Sequence, residues 1–209
     1  MYQKYIKRLI DVILSFIGIV VLSIPMLIIS VLIKIDSPGN VLFKQKRIGI
    51  GKKEFYILKY RTMRTDTPHN MPTHMLNNPN AYITKIGIIL RKYSLDELPQ
   101  MFNIFKGDMS IIGPRPALWN QSDLITERDK YGANDIKPGL TGWAQINGRD
   151  ELPIDVKARL DGEYAEKLSF LFDVKCFFGT ILSVLKHDGV VEGGTGMVEN
   201  DKEKEVVHR

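Results

Sequence analysis

Residues 12–33, "VILSFIGIVVLSIPMLIISVLI", run for 22 positions without a charge. One straight helix of that length would measure about 33 Å, against a bilayer core of about 30 Å. Pro25 interrupts the run. It has no N–H, and its ring clashes with the carbonyl four residues earlier, so a kink or break is expected there. Ser23, two positions before, can satisfy the backbone groups that the proline frees. Lys4, Lys7 and Arg8 stand before the run, and Lys34, Lys44, Lys46 and Arg47 after it. A spanning helix usually has one more basic side; here both are basic. The two readings are a kinked spanning helix and a re-entrant helix–break–helix that enters and leaves one face. The run is too long for a cleaved signal peptide, and no small-residue cleavage site precedes a polar start.

Beyond the turn signal "DSPGN", two apolar and aromatic runs flank "GIGKK", which predicts a β-hairpin with a glycine-containing loop. The "GIGK" fragment lacks the first glycine and the trailing Ser/Thr of a P-loop. Residues 65–80 carry three prolines and four asparagines, and read as a loop. Ile83, Ile86, Ile89 and Leu90 follow at helical spacing, giving a helix that ends near Tyr93. A short helix over 98–105 is closed by Gly107. "MSII" reads as a short strand, "GPRPA" as a rigid loop, and 120–131 as a polar helix. After a Pro-Gly turn the chain continues as a short strand that includes Trp143 and Ile146, and turns again at Gly148. Residues 153–168 are helical. Residues 169–187 form an apolar helix whose only charges are Asp173, Lys175 and Lys186. That helix suits a protein core or a membrane interface equally. From Glu192 onward a glycine-rich, then charged, stretch reads as disordered. There is no internal repeat. The pattern is α+β.

Charge changes this picture. The net +5 is uneven: residues 34–64 hold nine Lys/Arg and two Asp/Glu, whereas residues 65–209 hold 17 and 21. The basic cluster adjoins the apolar run, where it would attract anionic headgroups or hold phosphates. No nucleic-acid motif occurs, and nucleic-acid binding is not expected. The single Cys176 forms no internal disulfide and fits a reducing compartment. No C-x-x-C or H-E-x-x-H spacing occurs. The four histidines show no zinc pattern; His69 and His74 read as loop residues.

The candidate chemistry lies in residues 91–103, "RKYSLDELPQMFN". "SLDEL" could be a capping box with Ser94 as N-cap and Glu97 three residues on. Pro99 argues for Asp96 as cap, since it would then be the third helical residue, where no intrahelical bond is lost. A carboxylate against free N–H groups is expected to stay ionised. It would serve as a nucleophile and as a ligand for a hard cation. Glu97 points about 100° away around the axis, so the two can grip one Mg²⁺ only near the helix end. Prolines on both sides of Arg115 pre-set its guanidinium, as phosphate recognition requires. Lys59, Arg91 and Arg149 supply further cations near predicted loops.

"KQKRIG", "LKYRTM", "LRKYSLDELPQMFNIFKGDMSIIGPRPAL" and "IKPGLTGWAQINGR" follow the apolar run with Ser23 and Pro25 in this order. Together they resemble the bacterial sugar transferase family, the monotopic phosphoglycosyl transferases, over roughly residues 1–190. The resemblance implies a re-entrant anchor (1–36), a catalytic domain on the cytoplasmic face of the bacterial inner membrane (37–190) with interfacial amphipathic helices, and a tail (191–209). It implies transfer of a sugar-1-phosphate from a UDP-sugar to polyprenyl (undecaprenyl) phosphate with release of UMP, Mg²⁺ dependence, and membrane lipids as partners. This would be the first membrane step of capsule, O-antigen or other glycoconjugate assembly. The family's nucleophilic aspartate matches Asp96, and its Mg²⁺-binding glutamate matches Glu97. Lys59, Arg91 and Arg115 match positions that cradle phosphate, and Asp161, in "DGEY", matches another acidic position. In the family's break motif serine often directly precedes proline; here Ile24 separates Ser23 from Pro25. Some blocks resemble members that use N-acetylated deoxy-aminosugars. A homo-oligomer is compatible with all of this. The rival readings are a Mg²⁺-dependent transferase without a covalent intermediate, and a membrane-anchored adaptor without activity.

Overall fold

The computed structural model describes residues 2–67, 79–148 and 152–186. The chain opens with a π-helical turn, Tyr2–Ile6, and continues as α1 (Lys7–Val21) and α2 (Ser23–Asp36). These two helices are bent by 60°. The break falls at Leu22, whose φ of −90° and ψ of 4° leave the helical range. Pro25 is then the third residue of α2, where it removes no intrahelical bond. The carbonyl its ring would strike belongs to Val21, the last residue of α1. Ser23 Oγ donates to Val20 O at 2.7 Å, one residue before the carbonyl that the proline frees. Among the described residues no single helix is long and apolar enough to cross a membrane, but this bent pair passes that test together.

α1 is inside out for a water-facing helix. Its polar stripe, Lys7, Asp11 and Ser15 at i, i+4 and i+8, is buried, while Ile13, Phe16, Ile17 and Val20 are exposed. Asp11 Oδ1 accepts from Ser110 Oγ and from Ile111 N. Arg8 donates to the carbonyls of Ile104 and Phe105. The end of α2 is held as firmly. Met26 and Ile33 pack with Tyr60 and Leu90, and Asp36 Oδ2 accepts from Ile86 N at 2.9 Å.

β1 (Leu42–Ile48) and β2 (Glu54–Tyr60) form the antiparallel hairpin, in register from Leu42↔Tyr60 to Ile48↔Glu54. α3 (Lys85–Lys92), α4 (Gln100–Lys106), α5 (Ser122–Asp129), α7 (Ile154–Glu166) and α8 (Phe170–Lys186) surround it and a parallel pair, β3 (Ser110–Ile112) and β4 (Gly139–Thr141). α4 ends on Gly107 at φ 105°, as its glycine predicts. Trp143–Ile146, expected as a strand, is the short helix α6; the strand lies just before it, at β4. The chain is α+β. Ile57, Ile104 and Met109 pack under the hairpin, and Ile112, Ile136, Tyr164 and Cys176 form a second cluster.

α8 turns Asp173 and Cys176 inward and leaves Phe170, Leu171, Phe177, Phe178 and Leu182 exposed. Asp173 is the hub of a buried network. Lys7 Nζ, Tyr2 Oη and Tyr164 Oη each lie 2.6 Å from its carboxylate. His69, His74, most of the 65–80 loop and the tail from Glu192 lie outside the described residues.

Candidate active site

Four segments converge. β2 brings Lys59, the last turn of α3 brings Arg91, a 3₁₀ turn at Leu95–Glu97 brings the acidic pair, and the "GPRPA" loop brings Arg115. The 3₁₀ turn revises the expected capping. Ser94 adopts a left-handed φ of 54° with no side-chain capping bond, and its N–H bonds to Arg91 O at 3.0 Å. It therefore terminates α3 in the place usually taken by glycine, a conformation that costs a serine energy. Neither Ser94 nor Asp96 caps α4, whose N-cap is Pro99. Asp96 sits instead in the turn between two helices.

Lys59 Nζ lies 2.8 Å from Glu97 Oε1 and 3.7 Å from Asp96 Oδ2. Arg115 Nη2 lies 2.8 Å from the same Glu97 oxygen. Arg91 is aimed by its Nε–H bond to Thr62 Oγ1 at 2.9 Å. Gly87 lets α3 lie on that segment, since a Cβ there would stand 2.1 Å from Thr62 O. The carboxylate side chains are 14% and 16% exposed and that of Arg115 is 39%, against 18% for Lys59, so of the two cations on Glu97 it is Arg115 that reaches further toward solvent.

The two carboxylates diverge. Burial works to raise Glu97, but Arg115 and Lys59 outweigh it and hold the acid well below the usual range. Asp96 goes the other way. Burial raises it, Glu97 adds to the rise, and Lys59, Arg91 and Arg115 offset only part. The expectation that Asp96 caps a helix, and is kept low by its free N–H groups, is corrected: the N-cap of α4 is Pro99, and burial raises Asp96. A buried, partly compensated carboxylate is a less solvated and more reactive oxygen nucleophile.

Asp161 is not on the open side of this site. It is buried, and its Oδ2 accepts from Arg128 Nε and Nη2 at 2.9 and 2.6 Å. It is linked to the site through Arg128, which donates to Arg115 O at 2.9 Å. Arg149 lies outside the described residues. Arg128 and Thr62 were not singled out from the sequence. Their partners are 33 and 29 positions away, and no local spacing marks them.

Among the described residues no group of three or more His, Cys, Asp or Glu side chains gathers. Asp96 and Glu97 are adjacent hard oxygen donors, and Mg²⁺ is commonly held by one or two carboxylates with waters and substrate phosphates completing the shell. The pair fits such an ion.

The family model for bacterial sugar transferases matches residues 2–187. An uncharacterized sugar transferase of Bacillus subtilis is 40% identical over 185 residues, covering 88% of this chain and 90% of that protein. The UDP-glucose:undecaprenyl-phosphate glucose-1-phosphate transferase of Xanthomonas campestris is 39% identical over 191 residues, 88% of this chain. The UDP-N-acetylgalactosamine-undecaprenyl-phosphate N-acetylgalactosaminephosphotransferase of Aeromonas hydrophila is 35% identical over 189 residues, 87% of this chain. The match spans only 40% and 44% of the latter two proteins. With the match running from the bent helix pair through α8, the chain belongs to the bacterial sugar transferase family and is a transferase.

Proposed function

We propose that this protein transfers a sugar-1-phosphate from a UDP-sugar to polyprenyl phosphate at a membrane surface, through a covalent intermediate on Asp96. The observation that carries the reading is the placement of Asp96 among Lys59, Arg91 and Arg115, beside a Glu97 already braced by two of those cations. An Asp96 oxygen attacks the phosphorus that bears the sugar. The bond to the bridging oxygen breaks, and UMP leaves with that electron pair. A phosphate oxygen of the polyprenyl acceptor then attacks the same phosphorus. The Asp96–phosphorus bond breaks, the carboxylate is restored, and a polyprenyl diphosphate sugar results. Cations fixed around the transferring group stabilise its charge in both steps. Asp96 and Glu97 would hold Mg²⁺, which supplies further neutralisation of the diphosphate.

The bent helix pair supports a re-entrant anchor. Lys7, Arg8 and Asp11 at its start are bonded to the same body as Asp36 at its end. A crossing helix would deliver its two ends to opposite faces. Exposed Phe16, Ile17, Ile24, Leu27 and Ile28 would then meet acyl chains, and Phe177 and Phe178 of α8 would meet the interface. One site near the surface would serve a soluble donor and a lipid-held acceptor in turn.

The test is intact-mass analysis of the purified protein with Mg²⁺ and a panel of UDP-sugars, without acceptor. The panel includes glucose, N-acetylgalactosamine and N-acetylated deoxy-aminosugars. One donor is expected to leave a single sugar-phosphate adduct on the wild type and none on Asp96→Asn. UMP release without an adduct in a rapid-quench series would support direct transfer instead. Neither adduct nor UMP, with any donor and with acceptor present, would overturn the reading.

A further inference from the structure

The loop that carries Arg115 is held by its carbonyls. Pro114 and Pro116 have no N–H, so acceptors are nearly all this stretch offers. Each of four successive carbonyls meets a donor. Pro114 O accepts from Gly139 N at 2.8 Å and Ala117 O from Ile48 N at 3.0 Å. Pro116 O accepts from Arg47 Nη1 at 2.9 Å. Arg115 O accepts from Arg128 Nη2 at 2.9 Å. The bond at Arg115 itself is the one made by a buried, charged side chain: Arg128 is 4% exposed.

Arg128 is in turn fixed from behind. Asp161 Oδ2 takes both its Nε and its Nη2, and the two side chains are 5% and 1% exposed. Removing an arginine and an aspartate from water is costly. An apolar pair of similar volume would pack α5 against α7 without that cost. What the charged pair adds is a rigid donor pointing at one backbone oxygen. That oxygen belongs to the residue whose side chain lies 2.8 Å from Glu97.

We propose that Arg128, braced by Asp161, is the positioning residue for Arg115. It sets the height of the Arg115 guanidinium over the acidic pair, and with it the fit to the transferring phosphoryl group. The inference rests on the phosphoryl-transfer reading above. It assigns Asp161 a supporting role, not a contact with phosphate.

The test is a double-mutant cycle on UMP release, with the active donor and polyprenyl phosphate, alongside melting temperature. Arg128→Lys keeps the charge against Asp161 but lacks the fork that bonds Asp161 and Arg115 O together. It is expected to lower kcat by about 10- to 100-fold while melting close to wild type. In an Arg115→Ala background the same change is expected to cost less than about 2-fold, because the group it positions is gone. The Arg128→Met/Asp161→Leu double variant, which removes both charges at once, is expected to fold and to show the same dependence on Arg115. Equal losses with and without Arg115 would overturn the proposal, as would wild-type kcat in Arg128→Lys. Failure of both variants to fold would make the pair a folding element and also overturn it. A wild type that releases no UMP from any donor is a different result: it would count against the functional reading itself.

Discussion

Lys59 donates a 2.8 Å hydrogen bond to Glu97 Oε1, the oxygen that also accepts from Arg115. Two cations brought from a strand and a proline-fixed loop thus share one carboxylate oxygen. In the resting site Glu97 balances charges that a diphosphate would otherwise balance.

The first prediction concerns stability. The folded pKa of Glu97 lies far below its ordinary 4.5. Its contribution is therefore full above that value and is lost as pH falls through the folded value. Glu97→Gln is expected to unfold about 2 kcal/mol more easily at pH 7. The gap should narrow steadily below pH 4.5. Urea titrations in detergent across pH 3–7, with no change in the gap, would contradict this.

Asp96 gives the opposite sign. Its pKa is raised from 3.8, so the ionised form weakens the fold and the loss appears as pH rises through the folded value. Asp96→Asn is expected to melt higher than wild type at pH 7, to match it in acid, and to have no turnover. The acid limb of the wild-type rate should lie above the ordinary aspartate range. A variant that melts lower at pH 7 would mean that Lys59 needs Asp96 more than burial penalises it.

Metal should behave as a visitor. With Glu97 Oε1 engaged twice, and with no third carboxylate gathered at the pair among the described residues, a chelator is expected to abolish UMP release and leave the melting temperature unchanged. Mn²⁺ should bind more tightly to Lys59→Met than to wild type when no nucleotide is present, read by electron paramagnetic resonance. Equal affinity in the two would show that Lys59 does not compete with the metal for the carboxylate.

Asn103 is expected to matter as a strand does. Its Oδ1 accepts from Leu58 N and its Nδ2 donates to Tyr56 O, a side-chain rung that locks α4 to the strand carrying Lys59. Asn103→Leu strands the Leu58 N–H and should cost about 2 kcal/mol in a denaturant titration. A loss under about 0.5 kcal/mol would mean that water replaces the rung.

What could be read beforehand followed local rules. The hairpin announced itself by "GIGKK", α4 by Gly107, and the bend by Pro25, because each depends on a residue with a restricted or permissive backbone. Trp143–Ile146 misled, because four residues are too few to tell helical spacing from alternation. Asp96 misled for another reason. Pro99 was compatible with a helix starting at Asp96, but Ser94 in a left-handed conformation ends α3 just before it, and a 3₁₀ turn fills the gap. Arg128, Asn103 and Thr62 act through partners dozens of positions away, so only the folded chain brings their roles into view.

The pairing of Lys7 with Asp173 has a consequence in time. Their charges meet at 2.6 Å across a separation of 166 residues. At a synthesis rate of about 5–20 residues per second, the first helix waits roughly 10–30 s for the partner of its buried ammonium. Asp11, which bonds to Ser110 and Ile111, is satisfied well before that. α1 is therefore made well before its buried charge is met, and a nascent chain that stops short of α8 carries an uncompensated cation on the face meant for its interior.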